Sequence, residues 1–222
     1  MERLAHFLKS PIGSKMLMAV MGLALSLFLI IHMLGNLLMF VGPTAYNNYS
    51  HNLVKSSLIY IAEAALLFGF IAHLIPGIVL SWKNSEARGS EAYAVHTSAG
   101  HTSRRSFASR TMIFTGLVLL FFVPYHLYTF KFGPEYVSAT DPQVRDLYRL
   151  MVEKFSSVEY VTLYSLFMLL MSLHLWHGVG SAFESLGMRY RPGVRKSGQL
   201  LAAGLMLGFT IVPWFIFFKL KG

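Results

Sequence analysis

The chain contains no cysteine and nine histidines. Without cysteine it can hold no disulfide, no iron–sulfur cluster and no thiolate zinc site of its own. Any metal or redox centre must therefore draw on other ligands, and imidazole is the best supplied. Four histidines, His32, His73, His126 and His174, fall inside long apolar runs, where an ionisable side chain is costly and marks function. His6, His51, His96 and His101 sit in polar segments and read as solvated. His177 lies one turn beyond His174, but only His174 repeats the four-residue step to glycine (His73 to Gly77, His174 to Gly178). His174 is accordingly taken as the chemically active one.

The elements that must position these residues are helices. Of 222 residues 55% are hydrophobic and only 13% charged, about half the charge of a soluble domain, which excludes disorder and argues against a water-soluble globule. Five apolar runs reach the roughly 20 residues needed to cross a bilayer, near 16–41, 57–82, 111–130, 158–183 and 197–218. They lack the alternation of barrel strands. The fold expected is an all-α integral membrane protein, one domain over 1–222, with five transmembrane helices whose first four form a bundle. Between them, 42–56 reads as a short loop with Gly-Pro and Asn-Asn turn signals. Segment 83–110 reads as a Ser-, His- and Arg-rich loop, and 131–157 as a longer one carrying a surface helix around 142–155.

Direction follows from the basic residues, which concentrate on the cytoplasmic side. With the N-terminus cytoplasmic, twelve of the nineteen Lys and Arg fall inside and seven outside, while Glu135, Asp141, Asp146, Glu153 and Glu159 fall outside. The net charge of +9 thus reads as topology, not as a nucleic-acid footprint. From the helix starts the four histidines lie 16, 16, 15 and 16 residues in, roughly 24 Å along each helix. Since alternate helices run in opposite directions, His32 and His126 share the outer depth, and His73 and His174 the inner one. The two levels are roughly 15–20 Å apart.

Two imidazoles at one depth in hydrocarbon suit bis-histidine haem b, whose iron takes one neutral imidazole on each side and whose porphyrin prefers an apolar slot. Zinc fits less well, since two histidines without a carboxylate or thiolate leave it incomplete. Gly22, Gly35, Gly77, Gly116 and Gly178 near these positions would permit close backbone approach. Taken one at a time, each histidine also reads as a hydrogen-bonded core residue, and the glycines as helix-packing positions.

Six stretches carry a resemblance: LFLIIHMLGN at 27–36, AYNNYS at 45–50, IAHLIPG at 71–77, SRTMIFTG at 109–116, FFVPYHLY at 121–128 and SLHLWHGVGSAFESLG at 172–187. In their order and histidine spacing the chain resembles the single-chain, five-helix dihaem cytochrome b subunit of succinate:quinone oxidoreductases and fumarate reductases. The resemblance implies two haems b, with His32 and His126 on the distal haem and His73 and His174 on the proximal one. It implies a flavoprotein and an iron–sulfur subunit docked on the cytoplasmic face, a place in the cell's inner membrane, and a quinone substrate, menaquinone being the expectation. Some relatives place a glutamate two residues before the fourth ligand, proposed as part of a transmembrane proton path; here that position is Ser172.

Electron exchange with a quinol needs a group that takes protons. Apart from Glu159 at the outer edge of the 158–183 run, Glu63 is the only carboxylate in a predicted span, about 9 Å from its outer end. A buried carboxylate there is expected to hold and exchange a proton, with Tyr46 and His51 nearby. Lys83, Arg104, Arg105 and Arg110, with Arg189 and Arg191, are candidates for the proximal haem's propionates or for an acidic partner surface. Topology alone explains their basicity equally well. Two other classes share the pattern: a stand-alone transmembrane haem b oxidoreductase, and a haem-free proton-coupled transporter using the histidines and Glu63 as a relay.

Overall fold

The computed structural model describes residues 2, 6, 7, 10–87, 107–188 and 192–220, and all named elements among them are helical. Seven helices matter here. They are α1 (Pro11–Asn36), α2 (Pro43–Lys55), α3 (Leu58–Glu86), α4 (Met112–His126), α5 (Leu147–Phe155), α6 (Val158–Ser185) and α7 (Pro192–Phe215). With their continuing turns, α1, α3, α4, α6 and α7 are long and apolar enough to cross a membrane.

Helix α1 starts five residues before the predicted boundary. The Ser10 hydroxyl accepts from Gly13 N–H at 3.1 Å and Pro11 opens the first turn, a capped start whose fixed φ needs no apolar side chains. A larger departure is α2, where a loop was expected. Gly42 takes φ +124°, a conformation that favours glycine, and turns the chain so that Pro43 begins a helix. The Asn-Asn pair lies inside that helix, not in a turn. Asn47, 2% exposed, donates to Asp146 Oδ1 at 2.8 Å and accepts from Tyr148 N–H at 2.8 Å. Helix α5 begins at Leu147, later than the surface helix read from the sequence, because the Asp146 carboxylate caps it through Arg149 N–H.

After Pro124, whose ring removes a backbone donor, α4 ends at His126 and residues Leu127–Lys131 close with π spacing. Phe132 N–H reaches Leu127 O at 3.0 Å. Helix α7 repeats the device, with Pro213 followed by a π turn at Ile216–Leu220. Such wider turns collect at functional positions, and the first directly follows His126.

The first four spans form a ring in which α1 packs along α3 and α6, and α4 along α6. The fourth side, α3 against α4, is only lightly closed. Helix α7 lies outside the ring along α6 and against α1, tied by Ser172 Oγ donating to Ala202 O at 3.1 Å and by Trp214 Nε1 donating to Ser165 Oγ at 3.1 Å. Ser172 is thus a helix–helix contact. At one end, α2 and α5 pack together as a cap over a core of Met39, Tyr46, Phe130, Leu150, Phe155, Tyr164 and Ile216. Phe155 is 2% exposed, and truncating such a side chain costs about 3–5 kcal/mol. Helix α3 instead leaves Leu58, Ile61, Phe68, Ile75 and Trp82 exposed, an apolar face suited to lipid.

Candidate functional site

The four histidines meet as two pairs across the diagonals of the ring. His32 on α1 faces His126 at the end of α4, ring centres 5.8 Å apart. His73 on α3 faces His174 on α6, ring centres 6.1 Å apart. These are helix pairs whose backbones scarcely touch, so the side chains reach across the bundle axis.

Glycine contacts measure the separation of the pairs. A Cβ built on Gly22 of α1 would lie 2.9 Å from His73 Cε1, and one built on Gly116 of α4 would lie 3.3 Å from His174 Cε1. Gly22 and Gly116 thus mark the level of the second pair. His32 is ten residues beyond Gly22 and His126 ten beyond Gly116, about 15 Å of helix in each case. The His32/His126 pair lies at the cap end and the His73/His174 pair deeper in the bundle. This is the two-level arrangement expected from the helix counts.

The ring nitrogens have an order as well. His73 Nδ1 lies 2.9 Å from the carbonyl of Met18. A carbonyl only accepts, so Nδ1 carries the proton and Nε2 keeps its lone pair. His174 Nδ1 lies 3.1 Å from Thr115 Oγ1. That hydroxyl is also within reach of Thr111 O and Met112 O at 3.0 and 3.1 Å. With its proton given to a carbonyl, its lone pair accepts from His174 Nδ1. Both rings of the deeper pair thus hold the tautomer a metal ligand needs, anchored by an outer acceptor.

The cap-end pair has an aromatic surround. Phe28 stacks on His32 at 5.3 Å, Phe209 of α7 lies 5.8 Å from it, and Phe122, Phe130 and Tyr164 surround His126 at 5.4–6.1 Å. Asn36 Nδ2 donates to His32 O at 2.8 Å, and its Oδ1 accepts from Tyr46 at 3.3 Å. Burial, with Tyr49 nearby, pushes the Tyr46 hydroxyl well above its ordinary pKa.

These residues fit a bis-imidazole haem. With about 2 Å per metal–imidazole bond and about 1 Å from ring nitrogen to ring centre, one metal between two rings separates the centres by about 6 Å. Ring tilt is unconstrained, since each imidazole can turn about its own bond. No cluster of three or more His, Cys, Asp or Glu occurs among the described residues, so each pair offers two nitrogens. On the weakly closed side, α3 and α4 leave a cleft of about 350 Å³ lined by Ile78, Ser81, Trp82, Ser85, Ile113 and Leu117. It is a shallow, apolar groove open to the outside of the bundle, with Trp82 67% exposed. His177 Nδ1 is buried with no hydrogen-bond partner among the described residues, one turn past His174, on the side away from the cap.

Other candidates sit differently from expectation. Glu63 lies at the cap end, as its position along the helix implied, but it is not buried. Its carboxylate pairs with Lys131 Nζ from the π turn after His126, and both side chains are 41% exposed. Tyr46 points to Asn36. Gly35 receives the Tyr49 ring, and Gly77 and Gly178 face Met18 and Met112; their neighbours are protein side chains. Lys83 and Arg110 are exposed at the end away from the cap, while Arg104, Arg105, Arg189 and Arg191 lie outside the described residues. Sequence reading passed over Thr115, 1% exposed. A hydroxyl on an apolar helix beside the glycine that seats a histidine was its available signal.

Comparison of the chain with models of protein families, with characterised proteins and with solved structures finds no match.

Proposed function

We propose that this chain is the membrane-anchoring dihaem cytochrome b subunit of a succinate:quinone oxidoreductase or quinol:fumarate reductase. The observation that carries the reading is the pair of diagonal histidine couples, 5.8 and 6.1 Å between ring centres, at two depths of an apolar bundle. His32 and His126 would hold one haem and His73 and His174 the other. When bound, the haems supply one-electron transfer between the quinone pool and an iron–sulfur partner.

The chain's own residues do the rest. His73 and His174 keep Nε2 free for a metal through their Nδ1 bonds, the aromatic side chains exclude water at the cap end, and the glycines keep the helices close to the rings. Glu63 is proposed to accept the quinol proton, with Lys131 as its ion-pair partner. The basic bias of the N-terminal side favours a cytoplasmic N-terminus. On this reading the cap faces outward, and the His73/His174 end meets a flavoprotein and an iron–sulfur subunit in the inner membrane. With no cysteine in the chain, the iron–sulfur centres must lie on that partner.

Gentle purification from native membrane tests the assignment. Co-purifying flavin and iron–sulfur subunits, with succinate-dependent quinone reduction or quinol-dependent fumarate reduction, are expected. A haem-bearing chain that purifies alone and reduces an acceptor itself would replace this reading with the stand-alone oxidoreductase.

A further inference from the structure

The deeper pair is anchored asymmetrically. His73 Nδ1 bonds to a backbone carbonyl, Met18 O at 2.9 Å, which no substitution can remove. His174 bonds through Nδ1 to a side chain, Thr115 Oγ1 at 3.1 Å, with the Met112 carbonyl as a backbone acceptor beside it. His126 Nδ1 lies 3.5 Å from the Tyr164 hydroxyl, the limit of a hydrogen bond. Thr115 is 1% exposed, and its hydroxyl is directed by Thr111 O and Met112 O. The next residue, Gly116, leaves the space in which the His174 ring lies.

We propose that Thr115 is a positioning residue for the metal ligand His174 and sets the potential of the haem held there. This rests on the haem reading and adds to it a residue outside the ligand set. The chemistry is direct. A lone pair accepting from Nδ1–H pushes electron density through the ring to Nε2, making it a stronger donor that favours ferric over ferrous iron. The same bond fixes which nitrogen carries the proton, so the ring meets the iron with its lone pair and in one orientation. Outer partners of metal-bound histidines carry about 10–100-fold effects on metal affinity or activity.

The test compares Thr115→Val, which keeps the shape and removes the side-chain acceptor, with Thr115→Ser, which keeps it. Both are measured by potentiometric titration of the haem absorption in the purified complex. His73→Ala identifies which titration step belongs to the deeper pair. In Thr115→Val that step is expected to rise by a tenfold change in the reduction equilibrium, about 59 mV for one electron. The step of the His32/His126 pair should stay unmoved, and Thr115→Ser should match the parent protein. Thr115→Val with both steps unmoved, or both moved equally, overturns the proposal. If Thr115→Val fails to take up the deeper haem, Thr115→Ser decides: recovery of haem and potential supports the hydrogen bond, and continued loss overturns it. A parent protein without haem refutes the haem reading itself, which these variants would not do.

Discussion

His73 on α3 and His174 on α6 bring their rings to 6.1 Å across a bundle diagonal along which the two backbones hardly touch. Contact between these helices is therefore made by the imidazoles and by whatever lies between them. His177, one turn further along α6, has a buried Nδ1 without a hydrogen-bond partner among the described residues. His174→Ala is expected to remove one of two haems and His177→Ala neither, read as haem per chain. Loss of a haem in His177→Ala with retention in His174→Ala would exchange their roles.

The glycine seats differ in tightness. A methyl on Gly22 would come within 2.9 Å of His73 Cε1 and 3.0 Å of its Nδ1, whereas one on Gly116 meets His174 at 3.3 Å. Overpacking of this kind costs about 1–3 kcal/mol. Gly22→Ala should therefore lower occupancy of the deeper haem more than Gly116→Ala, while the His32/His126 haem stays full in both. Equal losses, or loss of the other haem, would contradict the seat assigned to Gly22.

Glu63 and Lys131 join the start of α3 to the π turn that follows His126. If Glu63 accepts the quinol proton, Glu63→Gln should cut quinone turnover at least tenfold with both haems retained, since a positioned base contributes about 10²–10⁴-fold. Lys131→Met should lower it as well by leaving the carboxylate without its cation. Unchanged turnover in Glu63→Gln would remove Glu63 from the chemistry.

The cap rests on Asn47, whose amide serves Asp146 and the Tyr148 backbone from 2% exposure. Asn47→Leu leaves the Tyr148 N–H without its acceptor, while Asp146 keeps its bond from Arg149 N–H, and should cost about 1–3 kcal/mol, seen as a lowered Tm in detergent. At the cap surface the Tyr136 hydroxyl, and then Lys154, hold the Glu153 carboxyl below its ordinary value of 4.5. The lowered value means that this contribution is present above pH 4.5 and fades as pH falls through the folded-state pKa. The Tyr136–Glu153 bond lies at the surface although the Tyr136 ring is half-buried against the cap core, so the effect is small, and Glu153→Gln should leave Tm at neutral pH nearly unchanged.

Position along the helices was the legible part of this molecule. Apolar runs located five spans, and counting residues within them paired His32 with His126 and His73 with His174. What a one-dimensional count lacks is rotation about each helix axis. It therefore missed that the pairs lie on diagonals, that Glu63 turns outward to Lys131, and that Thr115 turns inward to His174. The Gly-Pro and Asn-Asn signals at 42–48 pointed to a loop because they are weighed locally. Helix α2 exists because Asn47 finds Asp146 and Tyr148 some hundred residues away. Boundaries slipped where polar caps such as Ser10 and Asp146, rather than apolar side chains, start the helix.

The most direct test of the central claim is a reduced-minus-oxidised spectrum with haem quantification on the complex purified from native membrane. The account predicts a haem b band, two haems per chain, and one remaining haem in either His32→Ala or His73→Ala. Absence of a haem b band, or a full complement of haem in both variants, would contradict it.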